Sequence, residues 1–321
     1  MGFKVLVPQA IAKEGMDDLK RFGYEVKMGS GAKEEDLIRD VVDCDAILLR
    51  TAPVTRAVLE AGKKLKIVAR HGAGYNNVDL EAASELGIWV TNAPDSTTNS
   101  VAEFTVGAII AAAKRTFLLN AALKKEDFYF KNTHKGMDLI GKTVGIVGLG
   151  RIGGRTAQKL HDGMDMKILA YDPYANPDKV PEYVKLTDWD TLFKESDFVS
   201  LHMPSTKDNR GCVGKREFDM MKESAYFINC ARGEIVDQAA LTDALKENQI
   251  AGAFLDVLES EPFDKNWPLL NMDNVIVTPH MASNTEECMM LMATQAASQI
   301  HLVLSGEKPT WPVNTPKGKN E

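Results

Sequence analysis

Short, almost wholly apolar runs recur along the chain, separated by longer stretches in which apolar residues return every three or four positions. Lys4-Val5-Leu6-Val7, Ala46-Ile47-Leu48-Leu49, Lys66-Ile67-Val68-Ala69 and Ile88-Trp89-Val90 are such runs, and residues 17–22 form an amphipathic stretch after the first of them. A strand covered on both faces reads as a continuous apolar run, so this pattern predicts an open parallel sheet with helices on each side. Asn92-Ala93-Pro94-Asp95 reads as the turn after residues 88–90, with Ser100 capping a helix over 101–115 and Glu103 in its first turn. Residues 124–138 follow neither period and read as irregular.

The same alternation then resumes. Strands are predicted over 143–147, 167–171, 198–201, 225–229, 252–255 and 274–277, and helices over 153–161, 187–195, 237–247 and 285–304. Gly306 ends the last helix, and Pro309, Pro312 and Pro316 favour an extended tail. The fold class expected is α/β, with two doubly wound parallel-sheet domains. The 321 residues suffice for two such cores, and two lobes would create a cleft.

Composition narrows the function classes. Lys and Arg number 38 against 45 Asp and Glu, a net charge of −7 without a long basic tract, which argues against nucleic acid as a partner. The most apolar stretch, 104–113, is about half the length needed to cross a bilayer and is bounded by Glu103 and Lys114, so no membrane partner is expected. Cys44, Cys212, Cys230 and Cys288 are too scattered for a zinc site or a disulfide scaffold, which predicts no bound metal and reduced thiols. The chain enters Val5-Leu6-Val7 without a signal-peptide core, and Leu6 breaks the lipidation pattern that Gly2 would begin; the expected location is cytoplasmic.

The most informative local sequence is Gly148-Leu149-Gly150-Arg151-Ile152-Gly153, a Gly-x-Gly-x-x-Gly directly after the apolar run 143–147. Gly148 permits a tight turn, Gly150 lets the backbone approach a pyrophosphate, and Gly153 lets the following helix pack closely on its strand. Arg151 lies beside the turn, where it can flank the phosphates. Asp172 closes the next apolar run, placed to accept both hydroxyls of a ribose and to repel a ribose phosphate, which predicts NAD in preference to NADP.

Five further motifs stand in order along the chain: residues 70–79 (Arg-His-Gly-Ala-Gly-Tyr-Asn-Asn-Val-Asp), 201–204 (Leu-His-Met-Pro), 229–233 (Asn-Cys-Ala-Arg-Gly), 256–262 (Asp-Val-Leu-Glu-Ser-Glu-Pro) and 278–280 (Thr-Pro-His). With the glycine fingerprint they resemble the D-isomer-specific 2-hydroxyacid dehydrogenase family over nearly the whole chain. The resemblance implies a Rossmann cofactor domain over 101–290, a flavodoxin-like substrate domain built from 1–100 and 291–321 that closes over the substrate, and an oxidoreductase that interconverts a small D-2-hydroxy acid and its 2-oxo acid by hydride transfer with NAD.

It assigns Arg232, Glu261 and His280 to catalysis: a guanidinium for the substrate carboxylate, an imidazole for proton transfer, and a carboxylate to orient that imidazole. It also implies substrate contacts from the Ala73 and Gly74 amides. The cofactor contacts it implies come from Ile152, His202, Pro204, Cys230, Ala231 and Asp256 beside the fingerprint residues, with Asp256 positioning the nicotinamide amide.

Two other readings fit the same family: phosphoglycerate dehydrogenase, with Arg50 near a phosphate, and a nicotinamide-dependent corepressor that binds peptides. Homodimeric assembly is the expectation, although Phe128 to His134 replaces the Trp-Gly-type segment common in relatives. Met281-Ala282-Ser283 replaces the usual Ile-Gly after the His280 position, and His71 stands where relatives carry other side chains, with a satisfied loop histidine as the favoured reading.

Overall fold

The computed structural model describes residues 2–318. Met1 and residues 319–321, the outermost part of the expected substrate domain, lie outside the described residues. The chain divides into two compact units, one from the N-terminus to Thr97 together with the residues from Asn284 onward, the other Thr98–Ser283.

The first unit contains strands β1 (Lys4–Val7), β2 (Glu25–Met28), β3 (Ala46–Leu49), β4 (Ile67–Arg70) and β5 (Trp89–Thr91), with helices α1 (Lys13–Arg21), α2 (Glu34–Asp40), α3 (Arg56–Ala61) and α4 (Leu80–Glu85) between them. All strand pairs are parallel, in the order β2-β1-β3-β4-β5. Successive side chains point to opposite faces of a strand. Leu6, Ile47, Leu49, Val68 and Val90 therefore share one core with Leu37, Val58 and Ala82. Val5, Ala46, Leu48, Ile67 and Ala69 share the other with Leu19, Ala296 and Ile300.

That second core explains the discontinuity of the unit: the last helix of the chain, Glu286–Leu304, returns to cover the sheet. Beyond it the tail runs along β5, where Val313 N–H donates to the Val90 carbonyl at 2.9 Å and Val90 N–H donates to Asn314 Oδ1 at 2.7 Å.

The second unit contains α5 (Thr98–Ala113), α6 (Thr116–Lys124), β6 (Thr143–Val147), α7 (Arg151–Met164), β7 (Lys167–Tyr171), β8 (Val184–Leu186), α8 (Trp189–Glu195), β9 (Phe198–Leu201), α9 (Lys215–Met220), β10 (Tyr226–Asn229), α10 (Gln238–Lys246), β11 (Gly252–Leu255) and β12 (Val275–Val277). The returning helix Glu286–Leu304 of the first unit is α11. The seven strands of the second unit are parallel and run β12-β11-β10-β9-β6-β7-β8. The chain builds outward from β6 through β7 to β8, then restarts at β9 on the other side of β6, so the direction of winding reverses between β6 and β9.

Acidic side chains start the helices where the periodicity places them: Asp188 accepts from Thr191 N–H ahead of α8, and Asp237 from Ala240 N–H ahead of α10. One cap is corrected. α5 begins at Thr98, directly after the four-residue turn 94–97, so Ser100 lies inside the first turn instead of capping it. α5 and α6 meet at a 59° bend where Arg115 takes a left-handed conformation with φ 52°. No single described helix is long and apolar enough to cross a membrane.

Candidate active site

Because every strand of the second unit is parallel, the loops after β6, β7, β9, β10, β11 and β12 all leave from the same edge of the sheet, and a crevice is expected there at the reversal between β6 and β9. The glycine fingerprint occupies the loop after β6. Gly148 has φ 94°, and a Cβ on it would lie 3.0 Å from the backbone of both His202 and Met203 at the end of β9, so only glycine lets the two strand ends pack this closely. A Cβ on Gly153 would strike the Gly148 carbonyl.

Gly150 differs from both. Nothing lies within 4 Å of where its Cβ would be, at the N-terminus of the fourteen-residue helix α7, so there is space for a ligand to approach the backbone at that end of the helix. Arg151 and Ile152 are the first two residues of that helix.

Asp172 follows β7 and accepts from Leu149 N–H at 2.8 Å through Oδ2 and from Tyr174 N–H at 2.9 Å through Oδ1. The carboxylate thus pins the glycine loop, and each oxygen keeps a second lone pair for a ribose hydroxyl. An open helix N-terminus, a glycine turn and an acceptor beside them fit a dinucleotide. His202 Nε2 lies 2.9 Å from Ser200 Oγ, and burial pushes its imidazole down to about 4, so it is neutral near pH 7. Pro204 is exposed in the same loop, its carbonyl accepting from Asn209 Nδ2 at 2.8 Å.

The loop after β10 carries Cys230, Ala231 and Arg232. Asn229, buried at the end of β10, accepts from Ala231 N–H through Oδ1 at 3.0 Å and donates from Nδ2 to the Arg232 carbonyl at 3.0 Å, fixing the loop from within. Burial, then the Asp256 charge, push the Cys230 thiol up to about 12, which makes it a packing group. Arg232 donates from Nη1 to the Ala231 carbonyl at 2.6 Å, and burial lowers its guanidinium from the ordinary value against the opposing pull of Glu261 and Glu234. A Cβ on Gly233 would strike the backbone of Leu258 and Glu259, so glycine here lets the Arg232 loop lie against the segment that leads to Glu261.

Glu261 and His280 meet directly: Glu261 Oε2 lies 2.8 Å from His280 Nδ1. Partial burial pushes the Glu261 carboxyl up, but the His280 hydrogen bond and charge, the Leu258 N–H and the Arg232 charge together hold it below its ordinary value. His280 sits at φ 54°, a left-handed conformation that costs a non-glycine residue about 1–2 kcal/mol. The turn is held by its own N–H, which donates to the carbonyls of Asp256 at 2.8 Å and Thr278 at 3.0 Å.

Asp256 is 1% exposed and completes that turn. Its Oδ1 accepts from Thr278 Oγ1 at 2.6 Å and Met281 N–H at 2.7 Å, and its Oδ2 from Ala282 N–H at 2.9 Å. The carboxylate expected to face a nicotinamide amide is therefore committed to the loop that carries His280, with one Oδ2 lone pair left. Asn229 and Thr278 open two of the motifs read from the sequence but carry no assigned role there; their hydrogen-bonding side chains at strand ends are the signal that marks them.

Ala73 and Gly74 belong to the first unit, in the loop after β4. Their amides donate to no acceptor among the described residues, while Asn92 Nδ2 donates to the Ala73 carbonyl at 2.7 Å. His71, in the same loop, is 2% exposed, and its Nε2 has no hydrogen-bond partner among the described residues.

Residues 106–282 match the family model described as "D-isomer specific 2-hydroxyacid dehydrogenase, NAD binding domain". The chain is 40% identical to the glyoxylate reductase of Thermofilum pendens, over 97% of this chain and 94% of that protein. It is 41% identical to the D-3-phosphoglycerate dehydrogenase of Methanocaldococcus jannaschii over 98% of its own length, yet it spans only 60% of that longer protein. Among solved structures, the TT0316 protein of Thermus thermophilus superimposes with a TM-score of 0.88 at 32% identity, covering 97% of this chain and all of that one.

Proposed function

The chain belongs to the D-isomer-specific 2-hydroxyacid dehydrogenase family, and from that premise we propose that it interconverts a small D-2-hydroxy acid and its 2-oxo acid with NAD. The observation that carries this reading is the 2.8 Å His280–Glu261 pair beside Arg232, on the same sheet edge as the glycine loop and Asp172. The family match over the nucleotide-binding residues and the fit of that loop support NAD as the cofactor.

Gly148, Gly150, Gly153 and the α7 N-terminus would hold the pyrophosphate, Asp172 the ribose, and His202, Pro204, Cys230 and Ala231 would wall the site. When bound, the nicotinamide supplies or accepts the hydride. In the reductive direction Arg232 binds the substrate carboxylate and polarises the C2 carbonyl, and the Ala73 and Gly74 amides supply further carboxylate donors. Protonated His280 gives its proton to the C2 oxygen as the alkoxide develops, and Glu261 stabilises the imidazolium before that transfer and orients the ring throughout. In the oxidative direction neutral His280 takes the hydroxyl proton.

The same proposal has the protein act in the cytoplasm as a homodimer. The assembly rests on the apolar side chains that α6 and its sequel expose, Phe117, Leu123, Phe128 and Tyr129, and the location on four cysteines that form no disulfide among the described residues.

A panel of glyoxylate, hydroxypyruvate, pyruvate, longer 2-oxo acids and 3-phosphohydroxypyruvate, followed by NADH oxidation, tests the reading. Turnover of unphosphorylated acids is expected; turnover of the phosphorylated acid alone assigns a phosphoglycerate dehydrogenase, and none with any acid refutes the proposal.

A further inference from the structure

The first unit carries an unspent polar group that the mechanism above does not use. His71 follows β4 directly, at the carboxyl end of the sheet, with its backbone N–H on the Leu49 carbonyl at 2.7 Å. Its side chain is buried and its Nε2 is unpaired. Buried imidazole nitrogens almost always find a partner, so an orphan one needs an explanation.

The surroundings of the ring are cationic. Arg50 follows β3, donates from Nη1 to the Ala10 carbonyl at 2.8 Å, and has no carboxylate within salt-bridge distance among the described residues. Arg70 ends β4 and folds its guanidinium back over Gly72, donating to the His71 carbonyl. Burial, then the charges of Arg50 and Arg70, take the His71 imidazole down to about 4, against hydrogen bonding of the ring to the backbone of His71 and Met289, which favours its charged form; the atom left without a partner is Nε2. The ring is thus a neutral hydrogen-bonding group in a positive field, and an oxygen with partial negative charge is its natural partner.

The place of His71 in the chain brings in the neighbouring substrate loop. Ala73 and Gly74, whose unspent amides are assigned to the substrate carboxylate, lie only two and three residues further along the same loop, within about 7–11 Å of chain. We propose that His71 is a specificity-determining residue whose Nε2 pairs with an oxygen on carbon 3 of the substrate, a hydroxyl or a phosphate ester, so that the preferred 2-oxo acid is a 3-oxygenated one. This rests on the 2-oxo-acid reading above and deepens it. A site built to hydrogen-bond such an oxygen rejects the analogue that lacks it by far more than a site that only packs against it.

The test compares kcat/KM with NADH for hydroxypyruvate, 3-phosphohydroxypyruvate, pyruvate and glyoxylate in the natural protein, His71→Leu and His71→Gln. The natural protein is expected to favour an oxygenated substrate over pyruvate by about tenfold or more. His71→Leu should lower the ratio of the oxygenated substrate to glyoxylate by about tenfold or more, and His71→Gln, which can still present an amide, should recover part of it. The arm that responds, hydroxyl or phosphate ester, identifies the substituent. Ratios that stay put in both variants, or pyruvate preferred by the natural protein, overturn the proposal while leaving the dehydrogenase reading intact. Absence of turnover with all four acids in the natural protein refutes that reading first and this one with it. If His71→Leu does not fold, the ratio in His71→Gln decides: it should shift measurably, and identity with the natural protein counts against the proposal.

Discussion

Replacing Asp172 with Asn isolates one electrostatic term in cofactor choice. The side chain keeps its volume but loses its charge, and one of the two backbone amides it serves, Leu149 N–H or Tyr174 N–H, meets an amide nitrogen in place of an oxygen. That structural cost falls equally on NADH and NADPH and cancels in the ratio of their kcat/KM values. What remains is the repulsion between the carboxylate and a ribose 2′-phosphate. At a separation of about 4 Å two unit charges interact by about 1 kcal/mol in water and about 4 kcal/mol near a protein surface, and the phosphate carries about 1.5 to 2 charges. Asp172 is half-buried, so about 1.5–4 kcal/mol is expected, one to nearly three powers of ten in selectivity, with 1.4 kcal/mol for each about tenfold step. Steady-state kinetics with both cofactors should show NADH preferred by about tenfold or more in the natural protein, and that preference reduced at least about tenfold in Asp172→Asn. A ratio unchanged by the substitution would refute the argument, and NADPH preferred by the natural protein would remove its premise.

Two further outcomes follow from the same geometry. Asp256→Ala leaves Thr278 Oγ1 and the Met281 and Ala282 amides without their acceptor, at a cost of about 2–4 kcal/mol; for a unit of this size the melting temperature should fall by roughly 5–15 °C, and a fall of under a degree or two would show that the His280 turn stands without it. Burial holds the thiols of Cys44 and Cys230 up to about 11 and about 12, so iodoacetamide at pH 7.5 should leave both unmodified in the native protein by intact-peptide mass analysis; rapid labelling of Cys230 would contradict the packing role assigned to it.

How much of this was legible in the chain depends on how local the cause is. β1, β3, β6, β7, β9 and β11 were readable to the residue because each is a bounded apolar run buried on both faces. β2 and β8 escaped because neither is a bounded apolar run: Glu25–Met28 alternates charged and apolar residues and is only half covered, and Val184-Lys185-Leu186 offers three residues with a lysine in the middle. The glycine fingerprint is a local geometric demand and could be read as one. Arg232, Glu261 and His280 came from resemblance, since their meeting depends on Gly233 admitting the backbone of Leu258 and Glu259, a contact between segments far apart in sequence. The same holds for Asp256, whose three partners lie 22 to 26 residues away.

The central claim is that His280 moves the proton while the nucleotide is held elsewhere on the same sheet edge. Its most direct test is His280→Ala, assayed both for turnover of the best 2-oxo acid and for NADH binding by fluorescence titration. The account predicts turnover lowered by about 10²–10⁴-fold with NADH affinity changed by no more than a few fold. Turnover retained in the variant, or lost together with NADH binding in a folded protein, would contradict it.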